Sequence, residues 1–297
     1  MDQQRVIKGL RQLRYSDLND EYRAARKSLY FWWWSYLRLS KDYWWLCQQN
    51  GATLDTDLLG MWRDFGNVFD TEFWSWWKDK GRDLFAEQVR LPHVRAIDPN
   101  EADLNPPEQH VVVEIPLNLT ERTIARQVLA IVRAHTNRQV KPISRARRQL
   151  YQLRGVRAAV IRDAHDIWCI HHVIELAKQP NSTIGAPLNC MKHGEVGIKL
   201  RLVASCMPKH TDIEDKARMK RNGMKVAVSR MLTRANALIA NAEIGLFPCT
   251  AKLTPRERWT VEQLTALNDA VAQGQWQPPS ANVKEVKQLL HLSNLPA

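Results

Sequence analysis

Arginine is the side chain whose spacing first suggests chemistry in this sequence. Between Glu121 and Arg157, ten basic residues accompany one acid, which leaves a local net charge of +9. The planar guanidinium binds phosphate oxygens and guanine edges through paired hydrogen bonds. We therefore expect this stretch to bind nucleic acid. Its basic members are Arg122, Arg126, Arg133, Arg138, Lys141, Arg145, Arg147, Arg148, Arg154 and Arg157.

A second basic row lies farther along the chain. Apolar residues recur at helical spacing over 212–243, which predicts one long helix. At about 100° per residue, four basic side chains fall within one arc beside the apolar stripe, so they could follow a phosphate backbone. These four are Lys216, Lys220, Arg230 and Arg234.

The charge of the whole chain favours the same kind of partner. Lys and Arg number 43 against 31 Asp and Glu, a net charge of +12, and the isoelectric point is near 9.7. A polyanion is the natural partner of such a chain. We expect an accessory or regulatory protein that binds double-stranded DNA in preference to RNA.

Two other functions stay open at this point. One is a structural subunit of an RNA- or guide-containing nucleoprotein assembly, and the other is a metal-dependent nuclease with dispersed carboxylates. The sequence has no Walker loop, dinucleotide fingerprint, nucleophile elbow or His-Glu-x-x-His helix. We therefore favour a non-enzymatic function, while dispersed carboxylates leave the nuclease open.

Tryptophan dominates the amino-terminal third. Nine of the twelve tryptophans lie within 32–77, and residues 1–100 are almost neutral, with 15 basic and 14 acidic side chains. A base-stacking surface usually carries positive charge, so core packing and protein contacts are favoured. A bundle of about 90 residues cannot bury all these rings, which predicts a protein partner or self-association through this region. The predicted contact residues are Trp32, Trp33, Trp34, Trp76 and Trp77.

Three possible metal ligands share one face of a predicted helix. His165, Cys169 and His172 stand at i, i+4 and i+7, opposite the apolar stripe. A structural zinc site takes four ligands, and no fourth follows at a typical spacing, although Cys190 and His193 lie farther along. We name these three as candidate ligands and predict that the protein holds no metal and no cofactor.

Cysteine usage and the amino terminus bear on location. The five cysteines are widely spaced and form no Cys-x-x-Cys pair, which is typical of reduced thiols. The first residues are polar, and the longest apolar run, 30–34, is far shorter than the ~20 residues of a membrane span. We expect a cytoplasmic protein without membrane segments.

These side chains need helices to position them. We predict a mainly α fold with a Trp-rich helical bundle over 1–90, a Pro/Asp/Asn-rich linker over 91–109 and a basic helical domain over 110–297. Capping signals predict helix starts. In the Trp-rich bundle they lie at Asn19 or Asp20, Ser40, and Asp70 or Thr71. Near the carboxy terminus one lies at Thr254, and a last helix carries Val283 to Leu290.

The basic domain has a more specific prediction. Helices beginning at Thr120, Ser144 and after Gly155 would give a helix-turn-helix or winged-helix arrangement over 119–178. Alternating apolar residues at 111–115 and 196–202 predict two strands that could pair into a small sheet beside these helices.

Overall fold

The computed structural model of this protein is mainly helical, as the sequence predicts. It describes residues 6–7, 10, 18–87, 113–135, 146–151 and 157–292. The chain divides into two compact units: Met1–Ala86 with Arg147–Ala297 form unit 1, and Glu87–Ala146 form unit 2. The predicted linker, 91–109, lies outside the described residues.

Unit 1 is built from both ends of the chain, and unit 2 contributes one described helix. The amino-terminal helices are α1 (Leu18–Arg26), α2 (Leu29–Leu37), α3 (Lys41–Gln48), α4 (Thr56–Phe65), α5 (Phe73–Trp76) and α6 (Arg82–Phe85), with a π-helical turn (Trp77–Gly81) between the last two. The helix of unit 2 is α7 (Glu121–His135). The carboxy-terminal helices are α8 (Ala158–Ala177), α9 (His193–Lys199), α10 (Glu214–Ala242), α11 (Val261–Ala272) and α12 (Val283–Leu289), with single 3-10 turns at Leu188–Cys190 and Ala204–Cys206.

Short polar side chains decide where several of these helices begin. The hydroxyl of Ser28 accepts the backbone N–H of Tyr30 at 3.2 Å, which divides the first predicted helix into α1 and α2. Ser40 starts α3 as predicted, because its hydroxyl accepts the N–H of Tyr43 at 2.8 Å. Asp55 starts α4, a helix that the sequence analysis did not predict.

The predicted helix start at Thr254 is wrong. Residues 251–258 are not helical, and α11 begins after Thr260, whose hydroxyl accepts the N–H of Gln263 at 3.3 Å. The reason lies in long-range ion pairs. At the end of this segment Arg258 binds Asp42 at 2.8 Å, which favours an extended path over a helical turn. The predicted start at Asp70 or Thr71 lies slightly early, since α5 begins at Phe73.

The two predicted strands are absent from the described residues. Residues 113–115 are not a strand, and the segment predicted at 196–202 overlaps α9 and the turn after it. In so short a segment, alternation cannot separate strand from helix, and Gly197 suits a helix pressed against α10. A Cβ at Gly197 would lie only 3.0 Å from the Cβ of Met224. The described sheet is instead a pair of two-residue strands, β1 (Val6–Ile7) and β2 (Ala86–Glu87).

The described residues do not show the predicted helix-turn-helix or winged helix. The first and third predicted helices exist as α7 and α8, but α7 belongs to unit 2 and α8 to unit 1. Of the short basic helix predicted from Ser144, residues 146–151 are described and are not helical. Backbone bonds to other parts of unit 1 replace the helical ones: the N–H of Arg148 donates to Leu84 (3.0 Å) and that of Tyr151 to Phe247 (2.7 Å).

One hydrophobic core joins the two ends of the chain. Trp33 of α2 is completely buried, and its indole N–H donates to the carbonyl oxygen of Ala242 in α10 at 3.2 Å. The hydroxyl of Tyr36 donates to the carbonyl oxygen of Ile161 in α8 at 2.8 Å. The rings around α2 are therefore covered in part by the carboxy-terminal helices.

Candidate nucleic-acid interface

Helix α10 presents a long basic surface in unit 1. It has 29 residues, so it is about 44 Å long. One side, which includes Met224, Val228, Ala235 and Leu238, is buried, and α8 and α9 pack against the helix. Seven basic residues lie between 216 and 234, and no acidic residue occurs from 216 to 242. The helix therefore carries a concentrated positive charge.

Two of the predicted site residues on this helix are engaged in structural contacts. The ammonium groups of Lys216 and Lys220 lie 3.4 and 2.6 Å from the carboxylate of Asp212. Lys220 also donates to the carbonyl oxygen of Met207 at 3.0 Å. The hydrogen bond from Lys220, together with one from the backbone of Lys209, lowers the pKa of Asp212 to about 2. Both lysines thus hold the segment before α10 against the helix.

The other two predicted residues of this helix are free to bind an anion. Arg230 and Arg234 are exposed, and no carboxylate of the described residues lies within 4.0 Å of them. Arg221 and Lys225 are exposed in the same way and were missed by the sequence analysis. The absence of acids over 216–242 was the signal that could have identified them.

The four free cations flank a polar strip of the same helix. At 100° per residue, Arg221 and Lys225 lie on one side of the exposed face and Arg230 and Arg234 on the other. A shallow groove of about 430 Å³ runs along this face. Its polar lining between the cations comprises Asn222, Ser229 and Thr233. Amide and hydroxyl groups such as these donate to phosphate and sugar oxygens.

The arginine cluster of 121–157 is divided by the structure. Arg122, Arg126 and Arg133 are exposed on α7 of unit 2, and at 100° per residue they lie within about 40° of one another. Arg157 is exposed immediately before α8. The remaining predicted residues Arg138, Lys141, Arg145 and Arg154 lie outside the described residues.

Arg147 and Arg148 both bind the buried carboxylate of Asp64 in α4. Nε of Arg148 lies 2.5 Å from Oδ2, and Arg147 pairs with Oδ1. The side chain of Arg147 is still 61% exposed, whereas that of Arg148 is only 24% exposed. Gly245 leaves room for the Arg148 guanidinium, since a Cβ there would lie 2.6 Å from Nη1. Arg148 is therefore part of the fold, and Arg147 keeps an accessible side.

The five tryptophans predicted to contact a partner are mostly interior. Trp33, Trp34, Trp76 and Trp77 are buried, and their rings pack with one another and with phenylalanines of the same core. Trp32 is partly buried and is the member of this set with an accessible ring.

The three candidate metal ligands separate into two environments. The Sγ of Cys169 lies 3.8 Å from Nδ1 of His165. The ring of His172 stacks instead on Trp168, with centroids 5.2 Å apart, and burial lowers its pKa to about 4. Within the part of the chain that the structure describes, no group of three or more His, Cys, Asp or Glu side chains is arranged to hold a metal ion.

Comparisons with known proteins give no further guidance: no family model, curated protein or solved structure matches this chain. Among the described helices, none has both the length and the apolar character needed to cross a bilayer.

Proposed function

We propose that this protein binds nucleic acid without acting as an enzyme, and prefers double-stranded DNA. The observation that carries the proposal is the exposed face of α10, where Arg221, Lys225, Arg230 and Arg234 have no carboxylate partner among the described residues. Exposed cations without partners gain most from phosphate contact, because phosphates release counterions when a protein neutralises them. The arginine row of α7 offers a second basic surface of the same kind in unit 2.

The role proposed is that of an accessory or regulatory factor in the cytoplasm. Its five free cysteines fit the reducing compartment that the sequence predicts. A protein partner or self-association through the amino-terminal region belongs to the same proposal. Trp32 is the residue that supports this contact, because its ring is accessible while the other four predicted tryptophans are buried. Size-exclusion chromatography of the full chain and of Trp32→Ala tests it: identical monomeric elution of both would contradict self-association through this ring.

Salt dependence of the affinity tests the nucleic-acid proposal. Binding of the full chain to a labelled 25-base-pair duplex is measured by fluorescence anisotropy at several salt concentrations. Four phosphate contacts predict a slope of log affinity against log salt of about −4, and seven contacts predict about −6. A slope near zero would contradict the proposal.

A pair of double variants tests whether the affinity depends on the basic face of α10 or only on the total charge of the protein. Arg230→Ala with Arg234→Ala should weaken binding about 30-fold, at about 1 kcal/mol per contact, and make the slope shallower by about 2. The control is Arg162→Ala with Lys178→Ala, which removes one exposed charge of α8 and one directly after it; these already face Asp163 and Glu175 at 3.0 and 2.8 Å. Equal losses in both variants would show a nonspecific charge effect and contradict an interface on α10.

The same assay distinguishes the two alternatives. Binding to duplex RNA as tight as to duplex DNA would favour the nucleoprotein subunit, because RNA duplexes are recognised through shape and backbone. Cleavage of the duplex on addition of Mg²⁺ or Mn²⁺ would favour the nuclease.

A further inference from the structure

A cleft of unit 1, away from the exposed face of α10, brings together nucleophilic and basic side chains. It has a volume of about 530 Å³ and lies between α2, α8 and α12. We call it the His165 cleft and define it by Trp32, Ser35, His165, Asp166, Cys169 and Leu289, which all line it. A volume of this size accommodates a small organic molecule.

Both ring nitrogens of His165 have a partner in this cleft. Nε2 lies 2.8 Å from the hydroxyl oxygen of Ser35, and Nδ1 lies 3.8 Å from the sulfur of Cys169 and 3.3 Å from Oδ1 of Asp166. His165 and Cys169 are four residues apart on α8, the spacing at which helical side chains are neighbours. A thiol, an imidazole facing it and a third group on the far nitrogen form the arrangement that activates a nucleophilic cysteine.

Nδ1 of His165 lies where it can accept the thiol proton of Cys169. Burial alone would lower the pKa of His165, but the sulfur of Cys169 and the carboxylate of Asp166 outweigh burial and raise this pKa to about 10. When the proton moves from Sγ to Nδ1, Ser35 accepts the Nε2–H of the resulting imidazolium. The thiolate is the reactive form of cysteine.

We propose that the His165 cleft is a covalent binding site in which Cys169 attacks a small, uncharged electrophile. An α,β-unsaturated carbonyl compound is the class that fits best, because its addition has no leaving group. The thiolate forms a bond to the β-carbon, the electrons of the double bond move to the α-carbon, and the His165 imidazolium returns its proton there. Trp32 and Leu289 provide an apolar wall for such a ligand. This site is independent of the proposed nucleic-acid binding.

Access to the sulfur is restricted to molecules that enter the cleft. Cys169 is only 1% exposed, yet it lines the cavity. Two other cysteines serve as internal references. Cys190 is exposed, and Cys47 is buried in a site where desolvation raises the pKa of its thiol to about 12. We therefore expect the three thiols to react with an electrophile at three different rates.

The test is labelling of the folded full chain with N-ethylmaleimide at pH 6 and pH 8, followed by peptide mass spectrometry. A free thiol with the reference pKa of cysteine, labelled in parallel as a small peptide, should react about 75-fold faster at pH 8, following its thiolate fraction. Cys169 should change less than threefold, and Cys47 should stay unlabelled. Failure of Cys169 to react in the folded protein, or a rise parallel to that of the peptide thiol, would overturn the proposal. The charged or titratable groups that face this site from other helices and loops are Arg26, Tyr36, Glu285 and His291.

Substitutions test whether His165 is the base that accepts the proton of the Cys169 thiol. His165→Gln should slow labelling of Cys169 at pH 6 at least tenfold and restore its pH dependence. Ser35→Ala keeps the ring and should slow labelling at least threefold, so it decides the question if His165→Gln does not fold by circular dichroism. The control is His172→Gln on the same helix, whose ring stacks on Trp168 away from the thiol and which should label as the unaltered chain does. Unchanged labelling in the Ser35 and His165 variants would refute activation by the imidazole.

Discussion

Removing the guanidinium of Arg148 should destabilise the fold far more than removing that of Arg147. Asp64 is a buried carboxylate with a side chain only 5% exposed, and both arginines bind it. Loss of one partner of a buried ion pair typically costs about 3–5 kcal/mol. Arg147 remains to neutralise part of the charge in Arg148→Ala, so we expect a loss of about 2–4 kcal/mol. For Arg147→Ala, whose side chain is 61% exposed, we expect at most about 1 kcal/mol.

Urea unfolding followed by tryptophan fluorescence measures both losses. The variant Asp64→Asn serves as reference. Without the Asp64 carboxylate, the loss of Arg148 no longer leaves a buried negative charge short of a partner. In Asp64→Asn, adding Arg148→Ala should cost at least 1 kcal/mol less than it does in the unaltered chain, the coupling expected for side chains in contact. Equal losses for Arg147→Ala and Arg148→Ala, or strictly additive effects with Asp64→Asn, would refute the assignment of Arg148 to the fold.

Two further predictions concern pH and backbone geometry. Burial lowers the pKa of His172 from 6.5 to about 4. As the pH falls, the imidazole is therefore protonated in the unfolded chain before it is protonated in the folded chain. The free energy of unfolding should fall by up to about 3 kcal/mol as the pH drops from 6.5 to 4. His172→Gln should flatten that part of a stability profile measured by urea unfolding, and an unchanged profile would contradict it. Gly245→Ala should destabilise by at least 2 kcal/mol, since φ is +83° and the new Cβ would meet Arg148. Gly274→Ala, at φ +72° in open space, is the control and should cost about 1 kcal/mol by the same measurement.

The long helices were predictable from the sequence because their periodicity is long enough to be unambiguous. Helix α10 follows the predicted apolar stripe, α8 forms as predicted although its opposite face is buried as well, and α12 follows the predicted helix from Val283. Short segments were not predictable in this way. Residues 196–202 alternate like a strand, yet the first four of them belong to α9, and contact with α10 decides in favour of a helix.

The candidate sites show a second limit of sequence reasoning. The sequence locates every basic residue, but which of them are free depends on where the carboxylates lie. Asp64 is 84 residues from Arg148, so nothing in the local sequence indicates that pair. Asp212 stands four residues before Lys216, a spacing that does indicate a helical ion pair. The His165 cleft likewise depends on Ser35, which is 130 residues from His165.

The contact between Trp33 and Ala242 has a consequence for how the protein is made. The two residues are 209 positions apart, so at 5–20 residues per second the ribosome needs about 10–40 s to synthesise the helix that covers this ring. During that time Trp33 lacks the final cover that Phe247 and the carbonyl of Ala242 give it in the folded protein. Apolar surface exposed at this stage promotes aggregation and recruits chaperones. Slow translation of the region between the two ends would therefore lower the yield of folded protein more than slow translation after α10.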